Sequence, residues 1–199
     1  TDMLAGLLDS PDCQMMMVSG DVRIVIMTRD IPLRRVPEAV TGERIRKAVS
    51  VTANALRRLW GIERPVIDVA ALNPHAGDGG VTGTEEIEII GPAIAELRGA
   101  GIDARGPFPA DTLFHRPEKR GCDAFIALYH DQGMIPFKLT GFESGVNMTI
   151  GLPVVRTSVC HGTAYDLAGT GRASEGSLRA AIRLAVECSA RIRAGSAGG

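Results

Sequence analysis

Apolar residues in this chain fall into short continuous runs and into longer stretches with helical spacing, and the two kinds alternate. Residues 14–19 and 22–28 are runs rich in Met, Val and Ile, parted by Gly20-Asp21, which predicts a hairpin. Pro32 ends the second run. Pro37 opens a helix predicted to reach Trp60, with Val40, Ile45, Val49, Leu56, Leu59 and Trp60 at helical spacing and Gly61 placed as a C-cap. Arg44, Lys47, Asn54 and Arg58 read as its solvated face. Residues 66–72 are apolar except for Asp68, as expected of a strand covered on both faces. Thr82 and Glu85 have capping-box spacing, and Glu85, Glu86 and Glu88 suit the positive end of a helix that runs to about Arg98.

Residues 102–104 form a short edge-like piece, 106–109 a rigid loop, and 124–129 another buried strand. Residues 134–141 read as a helix or an irregular loop, because Pro136 interrupts them. Residues 145–152 and 154–159 are strand candidates, and a short helix is predicted from His161 to Gly169. Ser174 or Ser177 caps a last amphipathic helix to about Arg193, with Leu178, Ile182, Val186 and Ala190 on one face. The alternation predicts an α/β protein with a largely parallel sheet. No G-x-G-x-x-G follows a strand, so the usual dinucleotide-binding turn is not expected.

Composition narrows the function classes. A length of 199 residues allows one sizeable core or two small ones. The net charge of -1 gives no general attraction to nucleic acid or to an anionic membrane, and no apolar run is long enough to span a bilayer. Cys13, Cys122, Cys160 and Cys188 are widely spaced with no C-x-x-C pair, which points to reduced thiols in a cytoplasmic protein. Cys122 and Cys188 lie on apolar segments and read as core residues. The chain starts at Thr1 rather than at methionine, which reads as a processed or cut N-terminus.

The candidate chemistry follows the strands. Leu72-Asn73-Pro74-His75-Ala76-Gly77-Asp78-Gly79-Gly80 and Tyr129-His130-Asp131-Gln132-Gly133 each place a histidine just beyond an apolar run. Ligands of open α/β sheets bind outside the carboxyl ends of strands, and neutral imidazole is a common metal ligand. Asp30, His75 and His130 therefore form a candidate set of mixed oxygen and nitrogen donors for a divalent metal. Lys138, Asn147 and Arg156 are donors suited to an anionic substrate. Each has a plainer reading. A histidine after a strand can be a loop residue satisfied by backbone, and Asp30 can cap the turn before Pro32. Lys138 can be a solvated lysine, Asn147 can make a cross-strand hydrogen bond, and Arg156 can pair with Asp166 or Glu143.

The two histidine segments, taken with Gly83-Thr84-Glu85-Glu86, Gly106-Pro107, Pro109-Ala110-Asp111-Thr112, Gly151-Leu152-Pro153 and Arg156-Thr157-Ser158, resemble the 4-hydroxythreonine-4-phosphate dehydrogenase family of vitamin B6 synthesis. The resemblance implies an isocitrate/isopropylmalate dehydrogenase-like fold, of which residues 1–199 would be the C-terminal portion, with Thr1 on the threonine of the family's Gly-His-Thr motif. It implies a homodimer with a metal site shared between subunits, a divalent metal (Zn, Mg, Mn or Co), and NAD or NADP. The cofactor would be held by loops 151–157 and 161–169. His75 and His130 match two of the family's three metal-binding histidines, and Asp30 stands at the third, a departure that favours harder ions. Thr1, Lys138, Asn147 and Arg156 match its substrate-binding positions. Cys160 replaces an acidic residue common in the family. The implied reaction is oxidation, with decarboxylation, of 4-phosphohydroxy-L-threonine. Because of Asp30, a relative acting on threonate or erythronate 4-phosphate, or on a dihydrodiol dicarboxylate, stays open. So do a non-redox metal-dependent enzyme and an inactive fragment. No general base is assignable; Asp111 qualifies by residue type only and also suits a loop cap.

Overall fold

The computed structural model describes residues 2–141 and 144–196. Its strands are β1 (Gln14–Ser19), β2 (Val22–Thr28), β3 (Val66–Ala70), β4 (Asp103–Phe108), β5 (Ala124–Tyr129), β6 (Val146–Ile150) and β7 (Arg156–Val159). They form one sheet in the order β4-β3-β5-β2-β1-β6-β7. The β4, β3, β5 and β2 pairings are parallel, whereas β1, β6 and β7 join antiparallel. The sheet is thus mixed rather than largely parallel. A two-residue turn at Gly20-Asp21 makes the predicted hairpin. The short link from β6 to β7 likewise leaves no room for the crossover that parallel strands need.

The helices are α1 (Asp2–Leu7), α2 (Val36–Ala39), α3 (Gly42–Ala55), α4 (Gly91–Gly99), α5 (Ala110–Leu113), α6 (His130–Gly141) and α7 (Gly176–Ser196). The helix predicted from Pro37 to Trp60 is broken. Val40 is extended at ψ 95°, and Thr41 restarts the helix by accepting the Arg44 N–H on its side chain. The chain continues beyond α3 as a wider turn, Leu56–Trp60, and stops at Gly61 with φ 71°, as expected of a C-cap. Of the supposedly solvated face, Arg58 donates to Leu152 O and Pro153 O. Residues 134–141 are helical, because α6 runs through Pro136. The expected 106–109 loop is largely the end of β4, and the expected 161–169 helix shrinks to one 3-10 turn, Tyr165–Leu167.

Each face of the sheet buries its own apolar cluster. Met16, Val25, Ile67, Val69 and Ile126 meet Ile45, Val49 and Ile94 of α3 and α4 on one side. Met17, Ile24, Ile26, Phe125 and Ala127 meet Phe137 of α6 and Leu113 of α5 on the other. The alternation along β1, β2 and β5 sends neighbouring residues to opposite clusters. Close packing sets one glycine. A Cβ on Gly133 of α6 would lie 2.9 Å from Ala127 Cβ and 3.0 Å from Ile24 Cγ2. Gly133→Ala is therefore expected to lift α6 and lower stability by about 1–3 kcal/mol in a denaturant titration; an unchanged midpoint would show that the helix yields freely.

The amphipathic reading of α7 is inverted. Leu178, Ile182 and Val186 are 52%, 56% and 63% exposed, whereas Ser177, Ala181 and Cys188 are buried. Small residues on the inner side let the helix sit close to β6 and β7. Thr157 Oγ1 donates to Ala181 O, and Ser177 Oγ donates to Gly145 O. At the helix start Ser174 Oγ accepts from Gly176 N–H, whereas Ser177 Oγ accepts from Cys160 N–H outside the helix.

The single carboxylate in β3 also has its reason. Asp68 is fully buried and accepts from Arg105 Nε at 2.7 Å and Arg120 Nε at 2.8 Å. Arg120 in turn stacks on Phe108. Burial, reinforced by the Asp68 charge, pushes the Cys122 thiol up to about 12, so it stays protonated and inert at neutral pH. Cys122 is half-buried, and Cys188 lies in the core as expected.

Candidate active site

Parallel pairing brings three strand ends to one edge of the sheet. Thr28 of β2 stands opposite Tyr129 of β5, and Val69 of β3 opposite Ile126. Asp30 leaves the end of β2, His130 opens α6 directly after β5, and His75 lies on the turn after β3. All three are exposed. Asp30 and His130 line one cavity of about 530 Å³ together with Thr28, Ile31, Tyr129 and Asp131. His75 does not line that cavity. Among the described residues, no three His, Cys, Asp or Glu side chains come together to hold a metal within one chain.

The donor chemistry nonetheless suits a divalent ion. His130 Nδ1 is 2.7 Å from Asp131 Oδ1, which fixes the ring and leaves Nε2 as its second ring nitrogen. Metal-binding histidines usually donate their other ring N–H to a carboxylate or carbonyl that orients them. The 3-10 turn that follows Pro32 has no side-chain hydrogen bond at its cap.

His75 is presented by an unusual backbone. His75, Ala76, Gly77, Asp78 and Gly79 all have left-handed φ, from 45° to 81°. Three of these are not glycine, and each costs on the order of 1–2 kcal/mol relative to a right-handed residue. Hydrogen bonds hold the turn in place. Thr82 Oγ1 donates to Pro74 O, and Thr82 N–H donates to Gly77 O. Glu86 does most of the anchoring. Its carboxylate accepts from Leu72 N–H at 2.7 Å, from Asn73 N–H at 2.8 Å and from Asn73 Nδ2 at 2.9 Å. Burial alone would push this carboxyl up, but the hydrogen bonds outweigh it and hold it below the ordinary carboxylate value. The expected capping box is therefore replaced: Glu86 turns back onto the histidine loop, and Glu85 accepts from Asn73 Nδ2. Gly77 and Gly83 fit the same knot. A Cβ on Gly77 would meet Glu86 Oε2 and Gly83 O, each at 2.8 Å, and one on Gly83 would overlap the Asn73 side chain.

The predicted anion-binding residues lie apart from this edge. Asn147 of β6 stands opposite Met17 and Ser158, and Arg156 of β7 stands opposite Thr149. Directly paired residues share a face, so both belong to the Met17 face, on which α6 packs. Lys138 is exposed on α6. None of the three lines the cavity that holds Asp30 and His130. Arg156 is half-buried and donates to Thr149 Oγ1; its alternative partner Glu143 lies outside the described residues. The cross-strand bond expected of Asn147 is present as a long contact from Nδ2 to Met15 Sδ on β1, while its buried Oδ1 has no partner among the described residues. An unpaired buried amide oxygen costs about 1–3 kcal/mol, which a polar ligand would recover. Thr1 lies outside the described residues. Residues 151–154 line a separate groove with Asn54 and Arg58, on the α3 side.

Two functional supports went unseen in the sequence, Glu86 and Gln132. Gln132 is buried, accepts from Leu128 N–H and donates to Ala71 O, each at 2.7 Å. The available signal was a polar residue in the first turn of a packing helix, next to the glycine that allows the close approach.

Known proteins are similar to this chain in sequence and fold. The sequence profile of the pyridoxal phosphate biosynthetic protein PdxA matches residues 1–185. A 4-hydroxythreonine-4-phosphate dehydrogenase of Geobacter metallireducens is 50% identical over 199 residues, which is 100% of this chain and 58% of the relative. The crystal structure of the Klebsiella pneumoniae 4-hydroxythreonine-4-phosphate dehydrogenase aligns with a TM-score of 0.83 at 42% identity, over 92% of this chain and 57% of that one. A terephthalate 1,2-cis-dihydrodiol dehydrogenase from Burkholderia xenovorans aligns with a TM-score of 0.75 at 34% identity, over 93% and 59%. The chain thus spans a little over half the length of these relatives.

Proposed function

The chain belongs to the pyridoxal phosphate biosynthetic protein PdxA family, and from that premise we propose that it serves the NAD(P)- and divalent-metal-dependent oxidation, with decarboxylation, of 4-phosphohydroxy-L-threonine. The family match over residues 1–185 carries the reading. We read the protein as an isocitrate/isopropylmalate dehydrogenase-like enzyme that works as a homodimer, with each metal held by residues of both subunits. The shared site accords with the scattered donors of a single chain. The four free cysteines support a cytoplasmic setting.

Asp30, His75 and His130 would hold the cation, and Asp131 fixes the His130 ring for that task. Bound there, a divalent ion would supply Lewis-acid polarisation of the substrate's secondary alcohol, and a nicotinamide cofactor would supply hydride-accepting chemistry. Lys138 and Arg156 hold the anionic ends of the substrate, and the unpaired Asn147 Oδ1 takes a hydroxyl or ammonium proton. Thr1 belongs to the same substrate set. Loops 151–157 and 161–169 hold the nicotinamide cofactor, in keeping with the absence of a glycine-rich fingerprint.

A second reading rests on Asp30. A carboxylate where the family has histidine adds negative charge beside the substrate and favours a harder metal. The likeness to a dihydrodiol dehydrogenase adds to the case for a related substrate. Candidates are threonate or erythronate 4-phosphate and a dihydrodiol dicarboxylate. NADH formation measured with each substrate and metal separates the two readings, and turnover of none rejects the dehydrogenase. Activity that survives removal of the nicotinamide cofactor would instead mark a hydrolase or lyase. Arg156→Ala is expected to raise the substrate KM by about 10–100-fold while the cofactor KM changes little; an equal loss of both would move Arg156 out of the substrate site.

A further inference from the structure

We infer that Gln132 is a positioning residue for metal binding, a tie that locks the two histidine-bearing turns to one another; this rests on the metal-dependent reading above. The β3–β5 ladder ends at the pair Val69–Ile126. Beyond that rung the two strands part into the His75 turn and the His130 helix start. The Leu128 N–H and the Ala71 C=O lie beyond that rung. Gln132 fills the gap: its Oε1 accepts from Leu128 N–H and its Nε2 donates to Ala71 O, both at 2.7 Å. The carboxamide acts as one more rung of the sheet, supplied by a side chain.

Four further observations fit a positioning role. Gln132 is 7% exposed, so water does not replace it. It lies two residues beyond His130, in the same first turn of α6. Ala71 directly precedes Leu72 and Asn73, whose N–H groups Glu86 holds. On the far side of β5, Thr28 Oγ1 donates to Leu128 O at 2.6 Å, which ties in the strand that leads to Asp30. All three candidate ligands therefore descend from strand ends joined through Leu128 and Gln132. The tie acts on both histidine turns whether their rings reach one ion or two ions in a dimer.

The test is a calorimetric Mn²⁺ titration of wild type, Gln132→Met and Gln132→Asn. Methionine keeps the volume and makes neither bond. Asparagine keeps an amide but is one methylene too short to reach both partners, and it carries the test should the methionine variant not fold. Mn²⁺ affinity is expected to fall by about 10–100-fold, as for lost supports of metal ligands. Amide exchange of residues 72–80 is expected to speed up. A variant with lowered Tm but unchanged Mn²⁺ affinity would make Gln132 merely structural and overturn the inference. A wild type that takes up no divalent ion would overturn the metal reading itself, and this inference with it.

Discussion

His75→Ala and His130→Ala are each expected to give a folded protein that no longer retains a divalent metal after dialysis, read by elemental analysis. Both side chains are exposed, so neither change opens a cavity. His130 leaves behind only Asp131, which is itself at the surface. His75 occupies a left-handed position at φ 55°, but Ala76 beside it already accepts φ 53°. The stability cost should therefore stay at about 1 kcal/mol or less. Loss of metal without loss of fold would separate ligation from structure. Metal content equal to that of wild type in both variants would end the assignment of these histidines.

A change at Glu86 is expected to do the opposite, damaging the fold of the site before its chemistry. Glu86→Ala leaves the Leu72 and Asn73 backbone N–H groups without their acceptor in a part-buried place and leaves the Asn73 amide with Glu85 alone. About 3–5 kcal/mol should be lost. Glu86→Gln keeps the shape but turns an amide N–H₂ toward donors, and should cost about 1.5–3 kcal/mol. The pH dependence has a definite sign. The folded carboxyl is held below its unfolded value, so in acid the unfolded chain binds more protons. The contribution of Glu86 is full above the ordinary carboxylate value of about 4.3 and fades as pH falls through the lower folded value. Urea unfolding followed from neutral pH into that window should show wild type losing stability faster than Glu86→Gln. Parallel curves would mean that the buried carboxylate contributes nothing through its charge.

The two predictions concern different sides of one loop. The left-handed turn exposes His75, while the knot of Asn73, Glu86, Gly77 and Gly83 underneath it keeps that conformation from relaxing. Strain of this kind persists only where surrounding bonds over-determine it. The glycines and Glu86 of the 72–86 segment are thus accounted for by backbone geometry, with His75 exposed on the turn they hold.

Much of the architecture was legible in local pattern. The Gly20-Asp21 hairpin, the buried strand at 124–129, the Gly61 stop and the position of both histidines beyond apolar runs follow from residue type and period. These features depend on neighbours along the chain, which is what a sequence displays. The break at Thr41, the length of β4 and the inward side of α7 were read wrongly. In each, a tertiary partner outweighed a local preference: Val40 turns into the core, β4 pairs along β3, and Ala181 fits closer to the sheet than Leu178 could.

By itself the sequence determined the α/β class, the strand ends that carry Asp30, His75 and His130, and the family to which the chain belongs. Only the tertiary structure decided that the sheet is mixed, that Asp30 and His130 share a cavity while His75 stands on the next strand end, and that Glu86 and Gln132 hold the turns between them. The reason is physical. Periodicity reports which side of an element is apolar, but a buried carboxylate or amide is placed by donors and acceptors that lie far along the chain and meet only when the strands pair.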